Sequence, residues 1–443
     1  MRASTVAILL LFSMALSGPA MSDSAEKWVT SWAASAQGPY PAGNPMVQPD
    51  LRRVFPAPEI GAMEQSFRLI VGPDLWGREA RIRLSNAFGD RPIAFDGVYA
   101  GLQLDSSALV PGSNQPVTFK GAASVTIEPG GSAWSDAFPL PFVDRIPRAY
   151  LQSRKLAVSF HIVRESGPMT WHAKGLTTSY ITAPGDGSRG MIEDEAAFPF
   201  GTTSWYFLDA LDMRVPSDTQ AIVALGDSLT DGTASTLNGD DRWPDVLSRR
   251  LHERYGEKFA VVNAGIGGNL IAGPPEYSAQ KPYPGGQAAL QRLERDVISL
   301  SGVSTVIWFE GINDFSKNGN ASVESIRAAL KEGVATLRRR IPGVRVIGGT
   351  ITTALGNSGP AHGFEEQDLK RQAVNAYIRG GGLFDGVIDF DKTIVDPETG
   401  EMKPEFVPDS TLGGPGDKLH PNRIGYLAMG MAIDLRLFAL PPS

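Results

Sequence analysis

The chain has no cysteine, an absence that excludes disulfides, thiolate metal sites, a cysteine nucleophile and thiol redox chemistry together. Positive charge is also short. Lys and Arg number 41 against 48 Asp and Glu, and the formal charge of −7 disfavours general attraction to phosphate backbones, so no nucleic acid partner is expected. Past the first residues no apolar run approaches the ~20 residues that span a bilayer, and no stable membrane insertion is expected. Histidine is scarce, at five residues. His161, His172, His252 and His362 have no second histidine at metal-ligand spacing, and the pattern calls for no metal. Internal repeats and low-complexity segments are missing too.

What is present reads as a folded chain of 443 residues, longer than one hydrophobic core usually organises, so two domains are expected. Hydrophobic residues make up 42% and charged residues 20%, ordinary globular usage, while 49 Gly and 33 Pro imply many turns and much β structure. The start has the order of a secretory leader: Arg2, the apolar run Val6 to Leu16, then the small residues Ser17-Gly18-Pro19-Ala20. Residues 1–22 are read as a signal peptide cleaved after Ala20 or Ser22, which places the mature protein outside the cytoplasm, secreted or periplasmic.

Residues 27–213 alternate in short runs, such as Ser66 to Val71, Arg81 to Leu84, Val117 to Phe119, Ser124 to Ile127 and Leu156 to Val163, with Gly and Pro between. Period-two alternation marks half-buried strands, and an N-terminal β-sandwich or jelly-roll-like domain is predicted. Residues 214–219 read as a linker. From residue 220 to 443 the grammar changes, with buried-type runs alternating with helical periodicity. Strands are predicted at Ala221 to Leu225, Phe259 to Asn263, Thr305 to Phe309, Val344 to Gly348 and Val387 to Phe390. Helices are predicted at Trp243 to Tyr255, Gly286 to Leu300, Val323 to Arg340, Gln367 to Arg379 and Arg423 to Phe438. This is an α/β pattern, a flavodoxin-like three-layer sandwich around a parallel sheet, whose ligands bind beyond the carboxyl ends of the strands.

Four segments fall at that rim. After the first strand, Gly226-Asp227-Ser228-Leu229-Thr230-Asp231-Gly232 is a glycine-bracketed turn that presents a hydroxyl, although a serine there also serves as an N-cap. After the second, Asn263-Ala264-Gly265-Ile266-Gly267-Gly268-Asn269 leaves backbone N–H groups free. Its Gly265-x-Gly267 spacing continues to Leu270, where a dinucleotide fingerprint needs a third small residue, and the strand is not the first of the sheet, so no cofactor is expected. After the third, Glu310-Gly311-Ile312-Asn313-Asp314 brings an amide and a carboxylate. Last, Asp417 precedes His420 by three residues, within reach of the imidazole in one turn, as acyl transfer requires; capping of the final helix is the other reading of Asp417.

At these positions the chain resembles the SGNH, or GDSL, hydrolase superfamily. Gly226-Asp227-Ser228-Leu229 matches its first block, Gly268 its glycine block, Gly311-Ile312-Asn313-Asp314 its asparagine block and Asp417-x-x-His420 its last, in the family's order. The resemblance covers Ala221 to about Leu440. It implies the SGNH hydrolase fold and a serine carboxylic ester hydrolase, with Ser228 as nucleophile, His420 as general base and acid, and Asp417 orienting it. The backbone N–H groups of Ser228 and Gly268 and the Asn313 amide would form the oxyanion hole, and Asp227 and Asp314 would shape loops. The α/β-hydrolase signature Gly-x-Ser-x-Gly is absent.

Trp28, Trp32, Trp76, Trp134, Trp171 and Trp205 fall before the linker, either as core or as a platform for sugar rings. Export, acidity and that possible platform point to removal of acetyl or other short acyl groups from a carbohydrate, so a small-molecule or polysaccharide ester is the expected partner. The alternatives are a lipolytic acylhydrolase acting on long-chain or lysophospholipid esters, and a carbohydrate-binding protein with a vestigial site.

Overall fold

The computed structural model describes residues 25–274, 276–278 and 280–439, and the expected leader lies outside them. The N-terminal half is built of antiparallel sheets. In one, Leu208–Pro216 lies between Glu26–Ala33 and Glu79–Ser85, with Ser132–Trp134 beyond. In the other, Leu156–Ile162 lies between Gln65–Val71 and the long strand Ile93–Asp105. Alternate residues of both sheets fill a single core, Val29, Ile82, Leu84 and Leu211 from the first meeting Phe67, Leu69, Phe95 and Phe160 from the second. The run Val117 to Phe119 departs from the strand expected there. The strand itself covers only Gln115–Pro116, one further bond runs from Val117 N–H to Val98 O of the long strand at 2.9 Å, and left-handed Lys120 and Gly121 then turn the chain so that Phe119 bridges back to Ala122.

The tryptophans take the core reading. Trp32, Trp76, Trp171 and Trp205 are buried, and half-buried Trp28 and Trp134 both pack on the Arg81 guanidinium at 4.9 and 4.5 Å.

No free linker follows. Arg214 to Pro216 continue the strand Leu208–Pro216 and pair with Glu26 to Trp28, so the connection contracts to a turn at Ser217–Thr219. The reason is packing between the halves. Arg83, buried, donates to Asp209 Oδ1 at 2.6 Å and to Ser299 Oγ at 2.7 Å, and Thr30 and Ser301 exchange two hydrogen bonds at 2.8 and 3.0 Å. Such buried polar contacts hold their partners in one geometry.

The second half carries the parallel sheet. Its strands, Gln220–Gly226, Phe259–Gly265, Val303–Phe309, Arg345–Gly349 and Gly386–Ile388, stand in the spatial order second, first, third, fourth, fifth. The first strand, Gln220–Gly226, interior to the sheet, is buried on both faces after its first residue, as its unbroken apolar run requires. Helices Trp243–Tyr255 and Arg423–Ala432 pack together, and Val323–Arg340 packs with Glu365–Gly380. With one strand leading to each side of Gly226, the first strand's end is the place where loops diverge.

Several boundaries differ from the sequence pattern, among them three on the second half's helices and last strand. The expected helix from Gly286 begins at Ala289 and changes to a wider turn at Glu294–Ile298. The last strand ends at Ile388, because Asp389 accepts Lys392 N–H and starts the short helix Phe390–Ile394. The final helix stops at Ala432, where Arg250 takes the carbonyls of Gly430 and Ile433 at 2.6 and 2.8 Å, and only a short turn, Leu435–Phe438, follows.

Candidate active site

Ser228 stands directly beyond the first strand of the parallel sheet. The N-cap is Asp227, whose carboxylate accepts Leu229 N–H at 3.0 Å, so Ser228 is the first residue of the short helix Ser228–Asp231 rather than its cap. As the first helical residue it has a backbone N–H without an acceptor in its own turn. Its side chain is buried, and Ser228 Oγ lies 2.8 Å from His420 Nε2.

His420 is held from below by Asp417. The ring nitrogen Nδ1 is 2.6 Å from Asp417 Oδ2, and Asp417 Oδ1 accepts the backbone N–H groups of Leu419 at 2.9 Å and His420 at 2.8 Å. Burial pushes the Asp417 carboxyl up, but the His420 hydrogen bond and charge and the two backbone donors outweigh it and hold the group below the usual carboxylate range. An ionised Asp417 accepts only, so Nδ1 carries the proton and Nε2 is left to accept from the serine hydroxyl. The helix-capping reading of Asp417 does not hold, for Asn422 caps Arg423–Ala432 through Ile424 and Gly425 N–H.

Gly268 and Asn313 come from the ends of the second and third strands. Gly268 adopts φ +85°, a left-handed conformation that only glycine takes at little cost. The Asn313 amide, buried, donates one hydrogen to Asn269 O at 3.0 Å and keeps a second to give. Asp314 is turned away, accepting Ile271 N–H at 3.0 Å, and so shapes its loop.

Beneath the serine lie buried acids. Burial, with repulsion from Glu310, pushes Asp227 up to about 8, and burial pushes Glu310 up to about 7. Both are carboxylic acids rather than carboxylates at mildly acidic pH.

The sequence pattern missed several residues that organise this rim. Arg292, fully buried, donates to Gly226 O at 2.9 Å, Ala264 O at 2.8 Å and Asn269 Oδ1 at 2.8 Å, joining the ends of two strands to the glycine loop. His362 accepts at Nδ1 from Gln367 Nε2 at 2.8 Å. Gln367 also donates from that nitrogen to Ile312 O and accepts Gly363 N–H at its oxygen, which fixes the amide orientation, so the neutral imidazole carries its proton on Nε2. Burial and the charge of His420 lower His362 to about 4. From the N-terminal half, Asn44 donates to Gly267 O at 2.8 Å, and Gln37 donates to Pro284 O at 2.7 Å. Nothing in a sequence-periodic reading marks Arg292, Asn44 or Gln37, since each acts on a partner distant in the chain.

His161 and His252 stand apart from this rim, on Asp96 at 2.7 Å and Phe259 O at 3.0 Å. Among the described residues no group of three or more His, Cys, Asp or Glu is placed to hold a metal ion.

Residues 224–428 match the GDSL-like lipase/acylhydrolase family. No curated protein matches the chain. Among solved structures, a carbohydrate acetylesterase from Sinorhizobium meliloti is 14% identical, covers 48% of this chain and 96% of its own, and superposes with a TM-score of 0.36. A lipase/acylhydrolase from Enterococcus faecalis is 26% identical over 48% of this chain and 93% of its own, at a TM-score of 0.35. The aryl esterase of M. smegmatis is 19% identical over 48% and 96%, at 0.36.

Proposed function

We propose that the protein, whose residues 224–428 match the GDSL-like lipase/acylhydrolase family, is an exported serine esterase acting on short-acyl esters through an acyl-enzyme. The observation that carries this reading is the unbroken chain Ser228 Oγ, His420 Nε2, His420 Nδ1, Asp417 Oδ2, with links of 2.8 and 2.6 Å.

The chemistry follows from those contacts. Ser228 Oγ attacks the ester carbonyl as its proton passes to His420 Nε2, and Asp417 stabilises the imidazolium that forms. The carbonyl oxygen, now an oxyanion, receives N–H from Ser228, Gly268 and the Asn313 amide, each worth ~10²- to 10³-fold in rate. His420 returns the proton to the leaving alcohol oxygen, which departs with the bonding electrons as the acyl-serine forms. Water then repeats the sequence, with His420 as base, to release the acid.

The polar cover of the glycine loop supports a short acyl group over a long one. A Cβ at Gly268 would lie 2.7 Å from the Asn44 amide nitrogen, so the loop is roofed by a side chain that offers a long alkyl chain no apolar contact. A carbohydrate is the proposed alcohol half on the grounds of export and acidity; the buried tryptophans lend it no support. The test is a panel of p-nitrophenyl esters from acetate to palmitate alongside acetylated polysaccharides, with the purified protein. The reading expects the highest kcat/KM at acetate or propionate and release of acetate from polysaccharide. Activity confined to long acyl chains would overturn it in favour of a lipolytic enzyme.

A further inference from the structure

Asp231, the last residue of the short helix that begins at Ser228, faces the N-terminal half of the chain. Its carboxylate is buried, and Oδ2 accepts Gly267 N–H at 2.7 Å, one residue before Gly268. On the other oxygen, Oδ1, stands His172 Nε2 at 3.2 Å. The opposite ring nitrogen of His172 faces Ser35 O at 2.9 Å, and the ring stacks on Trp205 at 5.5 Å between centroids, which fixes its plane.

Lys174 completes the cluster. Its ammonium is buried and donates to Thr233 Oγ1, and a Cβ on Gly267 would lie 2.6 Å from Lys174 Nζ and 3.4 Å from Asp231 Oδ2. A side chain at Gly267 would thus displace the Lys174 ammonium, which packs directly on this residue. Burial alone would push the Asp231 carboxyl up; the His172 charge and hydrogen bond, then Lys174 and Arg242, reverse this and hold it below its ordinary value. A buried carboxylate without such partners is strongly disfavoured.

Of these groups, His172 and Lys174 lie outside the part of the chain that carries Ser228, Gly268, Asn313, Asp417 and His420, whereas Arg242 lies within it. We infer that His172 and Lys174 are positioning residues for ester hydrolysis: they hold Asp231 on Gly267 N–H, and so fix the neighbouring Gly268 N–H as an oxyanion donor. The inference rests on the serine-esterase reading. It gives the N-terminal half a definite task, as a support for the oxyanion loop across the interface. Displacement of a donor affects the transition state more than bound substrate, so the loss falls on kcat rather than KM.

The test uses the full chain with Lys174→Met and His172→Gln, each compared with the parent below its own unfolding midpoint. Kinetics on p-nitrophenyl acetate are paired with binding of a trifluoromethyl ketone, which forms an oxyanion on the serine. The expected result for each folded variant is a kcat and a ketone affinity both lower by roughly tenfold or more, with KM within about threefold of the parent. His172→Gln keeps a polar side chain beside Asp231 and supplies the result if Lys174→Met does not fold. Unchanged kcat and ketone affinity in a folded variant, with an active parent, would overturn this inference alone. A parent that neither hydrolyses the ester nor binds the ketone would overturn the esterase reading and this inference with it.

Discussion

One carboxylate, that of Asp417, holds both the ring and the backbone of His420: Oδ2 takes Nδ1 at 2.6 Å while Oδ1 takes the His420 N–H at 2.8 Å. The three-residue separation lets one turn of chain do both. Because Lys418 sits at φ +63°, that turn is tight enough to bring the histidine back over the acid.

Replacing Asp417 by Asn separates the two contacts. The amide oxygen still accepts the backbone donors, so the turn is expected to persist, but an amide hydrogen facing Nδ1 favours the wrong tautomer. Steady-state kinetics on p-nitrophenyl acetate should show kcat lower by roughly 10³- to 10⁴-fold, with a thermal midpoint close to that of the parent. A variant that retains more than a tenth of the parent kcat would speak against the role given to this carboxylate.

The buried acids make a prediction of opposite sign from the usual carboxylate case. Asp227 and Glu310 are raised to about 8 and about 7 in the folded protein, against ~4 in the unfolded chain. The folded state therefore binds the extra protons between those values. Their contribution to stability is fully present below the ordinary carboxylate range and is lost as pH rises through about 7 and about 8. Asp227→Asn keeps an acceptor for Leu229 N–H and removes one titrating group. Urea unfolding across this range should show a shallower decline of stability with pH in the variant than in the parent; parallel declines would contradict the assignment.

Much of the site was legible because the chemistry and the chain direction coincide. Buried runs such as Ala221 to Leu225 announce parallel strands, each strand end delivers its loop to the same edge, and Ser228, Asn313 and the Asp417/His420 pair lie in the loops so delivered. Arg292 was not legible, since an arginine in a helical segment reads as solvated until three acceptors from distant loops surround it. His172 and Lys174 were hidden for the same reason, with their partners on Asp231 and Thr233 each 59 residues away. The linker read at Arg214 to Thr219 failed because Pro and Ser mark a turn without telling how far the preceding strand runs, and pairing with Glu26 to Trp28 carries that strand to Pro216.

The central claim is that Ser228 accepts the acyl group, and the most direct test is intact-protein mass spectrometry after stoichiometric fluorophosphonate treatment, with peptide mapping and parallel hydrolysis of p-nitrophenyl acetate. The account predicts one adduct per chain, on Ser228, with activity lost in proportion to labelling, and neither adduct nor hydrolysis in Ser228→Ala. Hydrolysis undiminished in Ser228→Ala, or an inactivating adduct on another residue, would contradict it.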